Sequence, residues 1–369
     1  MNRVSDRGHA VFLFSNFPTK EITMIIVLKR HASETDIAAI SDLVCSLRYQ
    51  PRIIRGVEQT VIACIGDELS NRSLEALSNL PSVESVFPVQ KKFKLVSREY
   101  HPEDSVVNVS GVLIGGGNIQ IMAGPCAIES YDQLRAAVVD LTACGVKIIR
   151  AMPFKPRTSP YDFQGLKLDG VKIMRDVKAE FNVAMVAEVP GPAQIEMLRD
   201  VTDMFQIGAR NAQNYDLLEH LAHAGRPVLL KRGMASTVEE WLTAAEYLVV
   251  NGCPQVVLCE RGLRSFDKAT RNLLDLGAVA VARQLAHLPV VVDPSHAAGA
   301  RSLVPALARA GLAAGADGLI IEAHPDPVNA FSDASQQLES ASFGAFLKEL
   351  EPWIELAKAT RKQTKTLGT

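Results

Sequence analysis

From Ile119 onward the chain repeats one rhythm: a short apolar run, a longer stretch with helical spacing, then another short apolar run. The runs fall at Ile119–Ala123, Val146–Ile149, Ala184–Ala187, Met204–Ile207, Val228–Leu230, Val256–Leu258, Val290–Val292 and Gly318–Ile321. Each is too short for a helix and reads as a strand buried on both faces. Between them Tyr131–Ala143, Tyr215–Ala224, Val238–Val250, Arg271–Ala286 and Ser302–Ala314 read as predicted helices. Eight βα units in about 250 residues have the count and size of a closed (β/α)8 TIM barrel. An open doubly wound sheet needs fewer strands and usually carries a glycine-rich phosphate turn after its first strand. Here the first run leads into Ala123-Gly124-Pro125-Cys126, which is no dinucleotide fingerprint. The expected α/β fold is therefore a TIM barrel over residues 119–362, with a tail at 363–369.

Residues 24–94 follow a different order. Predicted strands at Met24–Leu28, Arg52–Ile54, Thr60–Ile65 and Val83–Val89 are interleaved with a helix from Ser33-Glu34-Thr35-Asp36 to about Leu47 and another at Ser70–Ser78. The order β-α-β-β-α-β makes a small ferredoxin-like α+β module. Such modules commonly hold small effectors or other subunits, although fold alone does not assign a function. Residues 95–118 read as a polar linker followed by a hairpin at Val106–Ile114, turning at Ser110-Gly111. Residues 1–23 are expected to be a disordered extension, since Ala10–Phe14 is shorter than a signal-peptide core or a membrane span.

The charge balance narrows the partners. With 39 Lys plus Arg against 41 Asp plus Glu, the net charge is -2, so there is no global field to hold nucleic acid or an anionic membrane. Any anion site must be local. The six cysteines contain no CxxC pair, which points to a reducing cytoplasm rather than a disulfide scaffold. Cys45, Cys64, Cys144, Cys253 and Cys259 are read as core. The apolar stripe Phe343, Phe346, Leu347, Leu350, Trp353 and Leu356 is read as the face of a final packing helix, roughly Ser342–Lys362.

A barrel places its chemistry just past the C-terminal ends of its strands. There the chain carries Cys126, then Arg150 with Lys155 and Arg157, then Glu188, Arg210, Lys231, Arg261, Asp293 with His296, and Glu322, followed by Asp333. Closing the barrel sets the last strand beside the first, so Cys126, His296, Glu322 and Asp333 share one sector. One thiolate, one imidazole and two carboxylates suit a divalent first-row metal such as Mn, Fe, Co or Zn. Arg150, Lys155, Arg157, Arg210, Lys231 and Arg261 form a second, cationic group suited to a multiply anionic ligand.

Six motifs occur in order: Ala123-Gly124-Pro125-Cys126, Lys155-Pro156-Arg157-Thr158-Ser159, Ile207-Gly208-Ala209-Arg210-Asn211, Leu230-Lys231-Arg232-Gly233, Asp293-Pro294-Ser295-His296 and Ile321-Glu322-Ala323-His324. On these, the chain resembles the type I 3-deoxy-D-arabino-heptulosonate 7-phosphate (DAHP) synthases that carry a ferredoxin-like N-terminal domain. The resemblance implies condensation of phosphoenolpyruvate with erythrose 4-phosphate and water to DAHP and phosphate, the first step of the shikimate pathway. It implies metal ligation by Cys126, His296, Glu322 and Asp333, with Mn²⁺ foremost and Fe²⁺, Co²⁺, Zn²⁺ or Cd²⁺ also suited. It implies phosphoenolpyruvate contacts from Arg150, Lys155, Ala209, Arg210, Lys231 and Arg261. Erythrose 4-phosphate would meet Lys155, Pro156, Arg157, Thr158 and Ser159. Glu188 matches an acid near the attacking water, and either Lys155 or metal-bound water would protonate the new hydroxyl.

KDO8P synthase is the nearest alternative, and Arg157 in place of its usual Lys-Ala-Asn-Arg-Ser pattern favours the four-carbon sugar. A non-catalytic amino-acid sensor is the alternative of another class. The resemblance further implies a homotetramer and feedback control by an aromatic amino acid, Tyr or Phe, at the N-terminal module. There the chain departs, with Arg52-Ile53-Ile54 where regulated members can carry a polar His-x-Ser.

Overall fold

The computed structural model describes residues 22–55, 59–66, 74–88 and 92–367. Most of the expected N-terminal extension, the Gly56 turn, the start of the expected Ser70–Ser78 helix and the last two residues lie outside them. The chain divides into two compact units, residues 1–92 and 93–369.

In the first unit β1 (Ile22–Leu28) lies between β3 (Thr60–Ile65) and β4 (Val83–Pro88), antiparallel to both, and β2 (Gln50–Arg55) pairs with β3. The resulting order β2-β3-β1-β4 is the ferredoxin-like arrangement. Helix α1 (Glu34–Ser46) starts at a capping box: Ser33 Oγ accepts from Asp36 N while Asp36 accepts from the Ser33 backbone. Its buried stripe, Ile37, Ile40 and Val44, packs with Met24, Ile26, Leu28, Ile62 and Cys64. Cys45 falls one position past that stripe and is exposed, contrary to its core reading. Where a second helix was expected at Ser70–Ser78, the described residues form a 3₁₀ turn at Glu75–Asn79. Pro81 follows closely and brings no N–H to extend the turn.

The second unit opens with a hairpin, β5 (Val107–Val109) against β6 (Val112–Ile114). The barrel strands follow as β7 (Gln120–Gly124), β8 (Ile148–Arg150), β9 (Ala184–Glu188), β10 (Met204–Ile207), β11 (Val228–Lys231), β12 (Val256–Glu260), β13 (Val290–Val292) and β14 (Gly318–His324). Each is parallel to the next, and β14 pairs back onto β7 from Gly318↔Gln120 to Glu322↔Gly124, closing the ring. Val107, Val109 and Ile114 of the hairpin join Met122, Ile148, Met204, Leu229, Val257 and Ile320 in one buried cluster, so the barrel interior is filled from the hairpin side. A larger apolar layer lies between strands and helices.

Several strands run one to three residues beyond their predicted ends, taking in Arg150, Glu188, Lys231, Glu260 and Glu322. The apolar run stops there because these side chains find polar partners at the mouth of the barrel, not because the strand stops: Arg150 pairs with Glu322, Lys231 with Asp293, Glu260 with Arg232, and Glu188 accepts from Gln206. The helix expected to begin at Arg271 begins at Leu276, where Asp275 accepts from Ala278 N as its cap, so Arg271 is a loop residue. In the final helix Phe343, Phe346 and Leu350 are buried, but Trp353 and Leu356 are exposed and Ala357 takes over the buried face beyond Pro352.

Residues 93–105 are strapped to the barrel. Glu246 accepts from Leu95 N and Val96 N at 2.8 and 3.0 Å, and His287 lies 2.8 Å from Leu95 O through Nε2 and 2.7 Å from Ser105 Oγ through Nδ1. Burial holds the His287 pKa below 6.5; Leu95 O opposes this, and His101 and Arg98 add to it. The folded chain thus binds fewer protons here than the unfolded chain. This contribution to stability is complete above the usual histidine pKa of about 6.5 and drains away as pH falls below it. The melting midpoint is expected to drop from about pH 7.5 to 5.5 and to drop less in His287→Gln. Equal slopes in the two proteins would contradict this.

Candidate active site at the barrel rim

The chain reaches the rim through tight backbone. Gly124 has φ +150°, and a Cβ there would lie 2.2 Å from Arg150 O, so only glycine lets β7 pass β8 and carry on to Cys126. On the opposite flank, Asp293-Pro294 starts the short helix Pro294–Ala298. Asp293 Oδ1 accepts from His296 N at 2.9 Å, while Oδ2 lies 2.6 Å from Lys231 Nζ and 2.7 Å from His296 Nδ1. One buried carboxylate thereby caps a helix, holds a lysine and orients an imidazole. With a proton on Nδ1 facing Asp293, Nε2 is left facing Glu322 Oε1 at 3.4 Å and Asp333 Oδ2 at 3.8 Å.

Donor atoms of Cys126, Glu322 and Asp333 lie within 4.8 Å of one another. With His296 beside two of them, all four residues of the expected donor set come together. The Cys126 thiol donates to Asp333 Oδ2 at 3.3 Å. Burial first, and Glu322 second, push it up to about 12. A thiol so raised ionises only with a cation to balance it, and thiolate, imidazole and carboxylate oxygens together fit a divalent metal. Burial also pulls His296 down to about 4, leaving its imidazole neutral and able to ligate.

Cations crowd the same point. Arg271, Lys155 and Arg157 lie 3.4, 3.7 and 3.8 Å from the Asp333 carboxylate, and Arg150 Nη2 lies 3.0 Å from Glu322 Oε1. Despite their burial these carboxylates are held below their usual range, Glu322 chiefly by His296 and Arg150, and Asp333 by Lys155 and His296. Burial alone would lower Lys155, but Cys126, Glu322 and Asp333 lift it above the ordinary lysine value. Buried N–H groups remain: Arg150 Nε and Nη1 and Arg261 Nη1 have no hydrogen-bond partner among the described residues. Buried donors left open in this way are suited to an anion that arrives later.

Pro156, Arg157, Thr158 and Ser159 lie in the loop after β8. Arg210, beside Ala209 in the 3₁₀ turn Ala209–Asn211, reaches across to Thr158 Oγ1 at 3.3 Å. Glu188 stands apart from the donor cluster: its Oε2 accepts from Gln206 Nε2 at 3.1 Å and its Oε1 fills the space over Gly208. Some contributors escape sequence reasoning. Gln336 donates to Glu322 Oε2 at 2.6 Å and accepts from Arg271 at 2.8 Å, and Gln337 accepts from Cys126 N at 3.0 Å. No periodic signal marks these glutamines; for Arg271, the Asp275 cap was the available clue.

Fold and rim together define a (β/α)8-barrel enzyme with its chemistry at the C-terminal face. The chain belongs to the DAHP synthetase I family, whose model matches residues 92–358, and the DAHP synthase ferredoxin-like domain matches residues 24–91. It is 44% identical to phospho-2-dehydro-3-deoxyheptonate aldolase of Thermotoga maritima over 328 residues, 89% of this chain and 97% of that one. It is 34% identical to 2-dehydro-3-deoxyphosphooctonate aldolase of Acidithiobacillus ferrooxidans over 232 residues, 58% of this chain and 81% of that one. The crystal structure of the Thermotoga maritima DAHP synthase is similar with a TM-score of 0.86 at 42% identity, covering 92% of this chain and 99% of that one. A truncated form of 3-deoxy-D-arabino-heptulosonate 7-phosphate synthase from Thermotoga maritima gives 0.67 at 40% identity, covering 72% and 98%.

Proposed function

We propose that this chain condenses phosphoenolpyruvate with erythrose 4-phosphate and water to give DAHP and inorganic phosphate, the entry reaction of the shikimate pathway. The observation that carries the reading is the convergence of open buried guanidinium N–H groups and a thiol–imidazole–carboxylate donor set at one point of the rim. Family membership, and a ferredoxin-like domain shared with the Thermotoga relative, favour it over KDO8P chemistry. Arg157 in the loop after β8 favours the shorter sugar as well.

Cys126, His296, Glu322 and Asp333 would hold one divalent metal, Mn²⁺ foremost, which when bound supplies Lewis-acid polarisation of the aldehyde oxygen. Arg150, Lys231, Arg261 and Arg210, with the Ala209 backbone, would bind phosphoenolpyruvate. Pro156, Arg157, Thr158 and Ser159 would hold the sugar phosphate. This fixes the enol carbon against the aldehyde, the positioning part of catalysis. Glu188, fixed by Gln206, would orient the water that adds at the enol ether carbon before phosphate leaves. The six free cysteines suit a reducing cytoplasm, and no helix among the described residues is long and apolar enough to cross a membrane. The ferredoxin-like domain supports control by an aromatic amino acid, Tyr or Phe, and assembly as a homotetramer.

Phosphate release from phosphoenolpyruvate should require erythrose 4-phosphate, stop with EDTA and return with Mn²⁺. Release with arabinose 5-phosphate alone would assign the chain to KDO8P synthesis, and silence with both sugars in folded, metal-loaded protein would leave the sensor reading. A narrower test addresses Glu188. A methyl at Gly208 would lie 2.2 Å from Glu188 Oε1, so Gly208→Ala must swing a flexible carboxylate aside without touching backbone. Turnover is expected to fall by about 10²-fold, the cost of a displacement near 1 Å. Folding and metal content should stay unchanged; full activity would remove Glu188 from the reaction.

A further inference from the structure

We propose that Glu129 is a positioning residue for Asp333, holding the loop after β14 so that this carboxylate stays in the donor cluster; the inference rests on the metal-binding reading above. Asp333 has φ +48°, in the left-handed region that side chains other than glycine adopt at a cost, although aspartate tolerates it better than most. Such a conformation persists where the surroundings over-determine it.

The surroundings here are specific. Glu129 Oε1 accepts from Phe331 N at 2.8 Å, two residues before Asp333. Its other oxygen, Oε2, lies 3.3 Å from His324 Nε2 at the end of β14. His324 Nδ1 accepts from Asp326 N at 3.0 Å, so Nδ1 is bare and Nε2 carries the proton that points at Glu129. One carboxylate thus ties together both ends of the segment 324–331, with side-chain exposures of 7% for Glu129 and 4% for His324. Next along the chain, Ser332 O accepts from Gln337 at 2.8 Å, and Gln337 in turn accepts from Cys126 N. The two residues before Asp333 are therefore each tied down, and of these two anchors Glu129 is the one whose side chain, among the described residues, bonds to none of the four donor residues. The Phe331 ring also meets Phe163 edge-on at 5.4 Å, so the same anchor reaches the loop that carries Arg157.

The test is titration calorimetry of metal-free full-length protein with Mn²⁺. Glu129→Ala should weaken Mn²⁺ binding about 10- to 100-fold, the usual effect of losing an outer-shell partner. Glu129→Gln retains an acceptor for Phe331 N but turns an amide NH₂ toward the protonated His324 Nε2, so Mn²⁺ binding should weaken less than in Glu129→Ala. Phosphoenolpyruvate binding to the metal-free protein should be the same in all three, which a general loss of structure would not permit. Should Glu129→Ala fail to fold, Glu129→Asp carries the test, because its carboxylate falls one methylene short of Phe331 N and Mn²⁺ binding should again weaken. Unchanged Mn²⁺ affinity in a folded Ala or Asp variant would overturn the proposal while leaving the metal reading intact. Absence of Mn²⁺ binding in the unmodified protein would overturn both.

Discussion

Replacing Cys126 with alanine should lower turnover by on the order of 10³-fold, the several kcal/mol expected when a Lewis-acid site is lost. The protein should remain folded. The thiol is fully buried yet makes a single side-chain hydrogen bond, to Asp333, and its removal vacates one atom's volume rather than a packed side chain. Destabilisation should therefore be about 1 kcal/mol, ordinary for a small truncation. Cys126→Ser is no rescue, since a hydroxyl neither ionises at neutral pH nor matches a thiolate as a soft ligand. Cys259 supplies the control: it is as buried, but it belongs to the interior apolar cluster below the rim. Cys259→Ala should keep its metal content and turnover. Bound metal, initial rate of phosphate release and melting midpoint, measured on all three variants, separate the cases. Metal-dependent turnover surviving in Cys126→Ala would exclude the thiolate from the site, and equal losses at both cysteines would assign the effect to packing.

The contrast between those two cysteines indicates what the sequence could and could not reveal. Both sit near apolar strands, yet Cys126 follows Gly124-Pro125, where the chain has already left its ladder, and that placement made it legible as a rim residue. The barrel was legible for a similar reason: short Val, Ile and Leu runs separated by helical spacing fit few other topologies. Strand ends were less so, because Arg150, Glu188, Lys231 and Glu322 are polar residues on buried strands, and hydropathy marks them as the onset of a loop. Asp293 was visible beside His296, but its threefold attachment to a helix start, Lys231 and His296 depends on β11 and β13 meeting across β12. Gln336, Gln337 and Glu129 lie deeper still. Gln336 meets the Glu322 carboxylate, Gln337 the Cys126 backbone and Glu129 the Phe331 backbone only once β14 has closed on β7, and no local pattern marks these residues for that task.

Lys155→Met should cost about 10²–10⁴-fold in turnover, the range for a group that handles a proton or a developing charge at the reacting centre. Arginine at the same position decides between those two roles. Lys155 Nζ lies 3.7 Å from Asp333 Oδ2, and Cys126, Glu322 and Asp333 raise its pKa above the ordinary lysine value despite burial that acts the other way. An ammonium held so firmly is a poor acid near neutrality, where an efficient donor has a pKa close to the working pH. It is, however, a dependable fixed charge at a buried position, and the doubly anionic substrates only strengthen its hold on the proton. Lys155→Arg keeps the charge but cannot surrender a proton, since its pKa exceeds 12. It should therefore regain a substantial part of the activity lost in Lys155→Met, with the Mn²⁺ content of both variants equal to that of the parent. Recovery would leave protonation of the new hydroxyl to a solvent-derived donor. If arginine is as inactive as methionine while binding both substrates normally, Lys155 is the proton donor, and the negative cluster around it must be relieved of charge in the loaded enzyme before the proton can leave.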